Sequence, residues 1–184
     1  MPKKAGQKKQ ETHQRLLEAA SQNFRQFGYA GIGVDGIAKS AGATSGAFYA
    51  HLGSKEAAFA AAVAKGLDEV IEAIPVFQQE HGTNWVAAFA DYYLGATHRT
   101  DMARGCAMTT LTPEVARASE ELHQLYQEKM ERIIAHIARG LSGADAQDGT
   151  ARAWAMLAAL IGGLNIARAL HDPAAISAVS NTFK

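Results

Sequence analysis

Residues 40–59 read SAGATSGAFYAHLGSKEAAF. Ala43, Thr44, Ser45, Gly46 and Ala47 stand in a row, and Phe48, Tyr49 and His51 follow at once. Small side chains let one surface come close to another, so the aromatic and basic groups beside them mark a contact face. Upstream, Val34, Ile37, Ala38 and Ala41 recur at helical spacing and Gly42 ends the face. Downstream, Thr44 or Ser45 caps a short helix that carries Phe48 and Tyr49. Two short helices joined by a glycine turn make a helix-turn-helix. Ala38 lets the two helices cross closely, and Ile37, Ala41 and Phe48 fill the wedge between them.

The second of these helices offers Ser45, Gly46, Ala47 and Tyr49 outward near its N-terminus, where a recognition helix meets base edges. Thr44 and the free N–H groups at the helix start suit a phosphate. The Tyr49 hydroxyl, His51 and Lys55 are donors one turn further on. No Arg, Asn or Gln stands at the reading positions, so phosphate positioning and DNA shape carry more of the specificity than direct readout.

Charge points the same way. The 184-residue chain has a formal net charge of zero. Residues 1–55 nevertheless hold eight Lys and Arg against three Asp and Glu, or +5, which leaves −5 for the remainder. A basic end on a neutral chain suits a polyanion. One cysteine, Cys106, makes no internal disulfide, and the charged start MPKKAGQKK lacks the apolar core of a signal peptide. The longest apolar run lies between Arg152 and Arg168, which is short for a membrane span. The expectation is a cytoplasmic protein with no membrane contact.

Outward from the motif the pattern is helical throughout, with no alternating strand signal. Leu17, Ala20, Phe24 and Phe27 form one face of a first helix, stopped by Gly28. Ser54 opens a long helix running towards Pro75, with Glu56 in its first turn. Trp85, Phe89 and Tyr92 form the next stripe, and Gly105 interrupts it beside Cys106. Ser119 starts a helix through Leu122, Tyr126, Met130, Ile133 and Ile137 to Gly140. Ser142–Gly149 is a polar break, and the stretch 149–171 is apolar almost all round until Asp172-Pro173 ends it. A helix apolar on nearly every side must be covered on nearly every side, so 149–171, with the segment from Ala174 to Phe183, is the expected dimer seam.

The stretch from Gly28-Tyr29 through VDGIAKSAGATSGAFYAHLGSKEAAF resembles the N-terminal domain of TetR-type transcriptional regulators. The matching residues are Ile37-Ala38, Ala41-Gly42, Ser45-Gly46, Phe48-Tyr49, His51 and Ser54-Lys55-Glu56. The resemblance implies an all-α protein of about nine helices, with a three-helix DNA-binding head over residues 1–53 and an effector-binding, dimerising body over 54–184. It implies DNA contacts at Thr44, Ser45, Gly46, Ala47, Tyr49, His51 and Lys55. Gly33, at the cap of the second helix, and Gly36, inside it, depart from the usual pattern and predict a loosely held helix.

The expected function is a dimeric repressor, released from a roughly palindromic double-stranded operator by a small hydrophobic or reactive effector. Trp85, Phe89, Tyr92, Tyr93, Cys106, Met108 and Trp154 are the candidate effector-lining residues. A helix N-terminus, Arg104 and His98 would lower the Cys106 thiol pKa and make it reactive; the alternative is a buried thiol acting as a small hydrophobe. A thiol enzyme assembled from His98, Asp101, Cys106 and His123 is the rival class, and a non-specific DNA-coating protein is another. No hydrolase, nucleotide-binding or CxxC motif accompanies those residues, and the histidines lack metal-ligand spacing, so no enzyme activity, cofactor or metal is expected.

Overall fold

The computed structural model describes residues 2–141 and 146–182. Residues 142–145 of the polar break expected at Ser142–Gly149 lie outside these residues, and 146–149 are helical rather than a break. Among the described residues the chain is helical, with no strand. The head is α1 (Pro2–Phe27), α2 (Val34–Ser40) and α3 (Ser45–Leu52). The body is α4 (Lys55–His81), α5 (Trp85–Tyr93), α6 (Ala96–Thr100), α7 (Ala107–Val115), α8 (Glu120–Gly140), α9 (Ala146–Ala169) and α10 (Pro173–Asn181). A 3₁₀ turn, Gly82–Asn84, joins α4 to α5.

The core face of α1 is set one residue from the expected stripe. Leu16, Ala19, Ala20 and Phe24 are buried, Leu17 is half-buried, and Phe27 is 49% exposed because α1 ends there and the chain turns away. α1 packs on α2, α3, α4 and α7, so one helix touches every part of the head and reaches the body. α2 and α3 meet through Ile37, Ala38 and Phe48, all buried, with Ala41 partly buried beside them. The turn between them needs Gly42, whose φ of 63° lies in the left-handed region that other residues rarely adopt.

α4 does not stop at Pro75 but runs through it to His81. An interior proline loses one backbone hydrogen bond and costs about 3 kcal/mol. Burial of Ile71 and Ile74 offsets that cost, and the Gln78 side chain donates to the His136 carbonyl at 2.8 Å. Phe77 meets Phe89 edge-on with ring centroids 5.3 Å apart. α4 and α8 then form the longest seam in the body, α9 covers α8, and α10 covers α9. Trp85 Nε1 donates to the Gly140 carbonyl at 2.9 Å and so satisfies an orphan acceptor at the end of α8.

α9 is long and apolar enough to cross a membrane by length and composition. In this fold Ala153, Leu157, Leu160, Leu164 and Ala167 turn one side of it into the core. Its other side leaves Trp154 44% and Ile166 54% exposed, with Ala155, Ala158 and Ala159 between them and Ala151 just before Trp154. Asp172 caps α10 by accepting from the Ala174 and Ala175 N–H groups at 3.3 and 3.1 Å.

Candidate nucleic-acid interface and effector cavities

Thr44 has extended backbone geometry and its Oγ1 accepts from the Ala47 N–H at 3.2 Å, which fixes the start of α3. Phe48 and Leu52 anchor the helix from beneath. Thr44, Gly46 and Tyr49 are exposed on the opposite side, while Ser45, Ala47, His51 and Lys55 are half-buried. The Tyr49 ring stands edge-on to Phe48 at 5.7 Å and is 54% exposed, so its hydroxyl is free to reach outward from a fixed base.

Three of the residues read as DNA contacts also have partners within the head. The Ser45 hydroxyl donates to Asp35 Oδ1 on α2. The His51 ring lies beside that of His13 on α1, with centroids 6.1 Å apart, and the His51 carbonyl faces His13 Nδ1 at 3.2 Å. The Lys55 ammonium sits over the Tyr29 ring, 4.5 Å from its centroid. Asp35, His13 and Tyr29 therefore belong to this surface. Sequence reasoning omitted them because each lies on a different element from the residue it holds.

In the body, Phe89, Tyr92, Tyr93 and Cys106 come together around a small cavity of about 90 Å³. The remaining candidates do not line it. Trp85 is spent on the end of α8, Met108 is wholly buried in the core, and Trp154 is exposed on α9. The Tyr92 side chain is itself 55% exposed, so it walls the rim. Arg25, His98 and Arg104 also line this cavity. Arg25 crosses from α1: Nη1 donates to the Gly105 carbonyl at 3.1 Å and Nη2 to Glu69 Oε2 at 2.8 Å. From α9, Arg168 Nε donates to the His98 carbonyl at 3.0 Å.

This setting favours the buried alternative for Cys106 over the reactive one. The thiol does begin α7 and has cations near it. Yet burial pushes its pKa up, and hydrogen bonds from its surroundings together with the charge of Arg25 do not undo that. Burial likewise keeps His98 neutral by lowering its pKa, and its Nδ1–H points at the Tyr92 and Tyr93 carbonyls, 3.2 and 3.1 Å away. His123 Nε2 is 2.7 Å from the Val115 carbonyl, and Asp101 accepts from the Arg104 N–H at 3.1 Å. Of the four residues of the thiol-enzyme reading, His98 and Cys106 line one cavity, whereas Asp101 and His123 lie outside it and are tied to backbone groups.

A larger space was not foreseen. A groove of about 620 Å³ opens where the head meets the body, between the start of α4 and the junction of α7 and α8. Tyr29, Glu56 and Phe59 line one side, and Glu114, Leu122 and Leu125 line the other. Its walls come from segments far apart in sequence, so no local pattern announces it.

A small helical head whose second short helix is propped outward, joined to a larger helical body with internal cavities, is the architecture of a DNA-binding regulator. Residues 16–62 match the bacterial regulatory proteins of the tetR family, and residues 83–182 match the C-terminal domain of transcriptional regulators of the LmrA/YxaF-like type. The chain belongs to the TetR family of transcriptional regulators. No curated protein matches it in sequence.

Solved structures share the fold at low identity. The reduced form of E. coli NemR is 19% identical with a TM-score of 0.78, over 94% of this chain and 95% of that one. A TetR-family regulator from Cytophaga hutchinsonii is 20% identical with a TM-score of 0.80, over 96% and 92%. AibR, solved in complex with isovaleryl coenzyme A and operator DNA, is 17% identical with a TM-score of 0.68, over 93% and 95%.

Proposed function

We propose that this regulator is a homodimeric repressor that leaves a roughly palindromic operator when a small apolar effector enters its body. The observation that carries the reading is the start of α3, where Thr44, Gly46 and Tyr49 are exposed over a buried Phe48 and Leu52. Thr44 and the Tyr49 hydroxyl hold phosphates, and Gly46 and Ala47 allow close approach to the groove. A hydroxyl has one proton, and Ser45 gives its proton to Asp35. Ser45 therefore meets bases as an acceptor, suited to the amino group of adenine or cytosine. His51 and Lys55 add backbone contacts at the flank.

Two recognition helices require two chains. The exposed side of α9, with Trp154 and Ile166 set among alanines, and α10, which buries none of its residues within one chain, support the dimer seam. The cavity beside Cys106 supports the effector site. Arg25 lines it, and its Nε is buried without a protein acceptor among the described residues. An apolar molecule bearing one hydrogen-bond acceptor satisfies that group. A shift of the Gly105-Cys106 step then passes through Arg25 into α1, which carries the head. AibR gives a precedent for one chain of this fold holding both a small molecule and an operator.

The test is titration of the full chain onto labelled DNA from upstream of its own gene, at several salt concentrations, with random DNA as competitor. Saturable binding by two or four chains that survives competitor is the expected result. Binding that competitor erases at every salt concentration overturns the operator reading.

A further inference from the structure

The head–body groove, at about 620 Å³, is far larger than the cavity of about 90 Å³ beside Cys106, and its chemistry is distinct. Phe59, Ala60, Leu122 and Leu125 supply an apolar floor. Three carboxylates, Glu56, Glu114 and Glu121, line it against one guanidinium, Arg117. Lys55 adds a second positive charge nearby through its seat on Tyr29, so three minus two still leaves the rim negative. Hydrogen bonds from Tyr29 to Glu56 and from Ser119 to Glu121 hold both carboxyls below their ordinary pKa, so both are ionised at neutral pH. The volume of about 620 Å³ falls in the range of pockets that enclose drug-sized molecules.

We propose that this groove is a second effector site, one that takes an amphipathic organic cation, its apolar part on Phe59, Leu122 and Leu125 and its charge among Glu56, Glu114 and Glu121. An apolar floor under a negative rim favours a molecule with the same division and the opposite sign, and it disfavours an anion of equal size.

The groove also lies across the links that orient the head. The Tyr29 N–H donates to Glu114 Oε1 at 3.3 Å, and the Tyr29 hydroxyl donates to Glu56 Oε1 at 2.6 Å. Gly28 makes that turn at φ 72°, and a side chain there would press on the Glu114 carboxylate. A cation that recruits Glu114 loosens its hold on the turn after α1, so cation binding and DNA binding are coupled, and each changes the other by the same factor. This regulatory consequence rests on the DNA-binding reading above; the site itself does not.

Calorimetric titration of the full chain with tetraphenylphosphonium and with tetraphenylborate tests the site directly, because the two ions match in size and shape and differ in sign. The expected result is one cation bound per chain, about tenfold tighter than the anion at low salt. Glu121→Gln, an exposed change that leaves the core intact, narrows that preference to about threefold. Leu125→Trp fills the groove and abolishes binding, with circular dichroism reporting that it folds. Equal affinity for the two ions, or cation binding untouched by both variants, overturns the proposal. In a second arm tetraphenylphosphonium shifts DNA affinity in the parent chain and not in Leu125→Trp. A chain that binds the cation but no DNA at low salt refutes the DNA-binding reading while retaining the site.

Discussion

In the head, the bonds at the start of α3 are short in sequence: Ser45 reaches Asp35, ten residues away, and Thr44 caps its own helix at Ala47, while the flank is tied by His13 to His51 across 38 residues. In the body they are long. Arg25 reaches Gly105 across 80 residues, Arg168 reaches His98 across 70, and Gln78 reaches His136 across 58. The start of α3 is a locally specified device, standing on Ile37, Ala38 and Phe48. The body takes its internal chemistry from side chains that meet only after the long helices have docked. Local construction gives a rigid, repeatable face for DNA. Long-range construction gives cavities whose shape changes when a helix moves, which is what an effector-responsive part needs.

The comparison is broken most readily at Phe48. It is wholly buried between α2 and α3, so Phe48→Ala removes the wedge of the head and costs about 3–5 kcal/mol. DNA binding is lost, while hydrogen exchange in α8 and α9 changes little if the head is as self-contained as its bonds suggest. A loss below about 1 kcal/mol in urea unfolding would show that the wedge is not what holds the head.

Arg25 is the next lever, because it is the head residue most deeply tied into the body. Its side chain is 7% exposed, and its partner Glu69 is 46% exposed and also bridged by Lys65. Glu69 therefore keeps a cation in Arg25→Ala, and solvent screens what is lost. The expected cost is about 1–2 kcal/mol, most of it from the unpaired Gly105 carbonyl and the lost packing. Faster hydrogen exchange at the start of α7, with α2 and α3 unaffected, is the signature. Equal loosening of α2 would mean that the head depends on the body more than its bond lengths in sequence imply.

Cys106 and Tyr93 sharpen the same contrast through pH. Burial raises both above their ordinary values of 9.0 and 10.0, so the fold prefers their protonated forms. The sign follows: below about pH 8 both groups are protonated folded or unfolded, and stability does not depend on them. As pH rises through the ordinary thiol value the unfolded chain ionises first and stability falls, by at most about 1.4 kcal/mol per pH unit for each group. Cys106→Ala removes the earlier part of that fall. Native-state alkylation by iodoacetamide is slow at pH 8 and tracks unfolding; fast labelling of the folded chain would contradict the buried thiol.

The head was legible because its determinants sit side by side. The glycine at 42, the cap at Thr44 and the spacing of Ile37, Ala38 and Phe48 specify helices, turn and wedge without knowledge of anything distant. The body was legible as helices but not as a site. The aromatic stripe of α5 hid the fact that Trp85 turns to the end of α8 while Tyr92 turns to solvent, a matter of which neighbour arrives. Pro75 reads locally as a stop, and tertiary burial overrides it. The sequence neighbours of the thiol at 106 leave an activated and a buried reading open, and its burial, which comes with the docking of α7, decides its pKa. The head–body groove has no local signal at all, since Tyr29 and Glu114 are 85 residues apart.

The smallest effect concerns α2, expected from its glycines to be loosely held, where local reading and packing conflict. Gly33 gives no side-chain cap, and Gly36 sits inside the helix, so propensity alone predicts that Gly36→Ala gains about 1 kcal/mol. A Cβ at that position would come within 2.6 Å of Ile32 Cδ1, the far end of a side chain that packs against the head. Turning Ile32 aside costs about 0.5–1.5 kcal/mol, which cancels the gain and leaves the single variant within about half a kcal/mol of the parent. Shortening Ile32 releases the conflict. Gly36→Ala measured in an Ile32→Val background should therefore recover most of the propensity gain and slow hydrogen exchange over residues 34–41. Full stabilisation by Gly36→Ala alone would mean that Ile32 moves without cost, and that the looseness of α2 comes from its sequence and not from the packing that required the glycine.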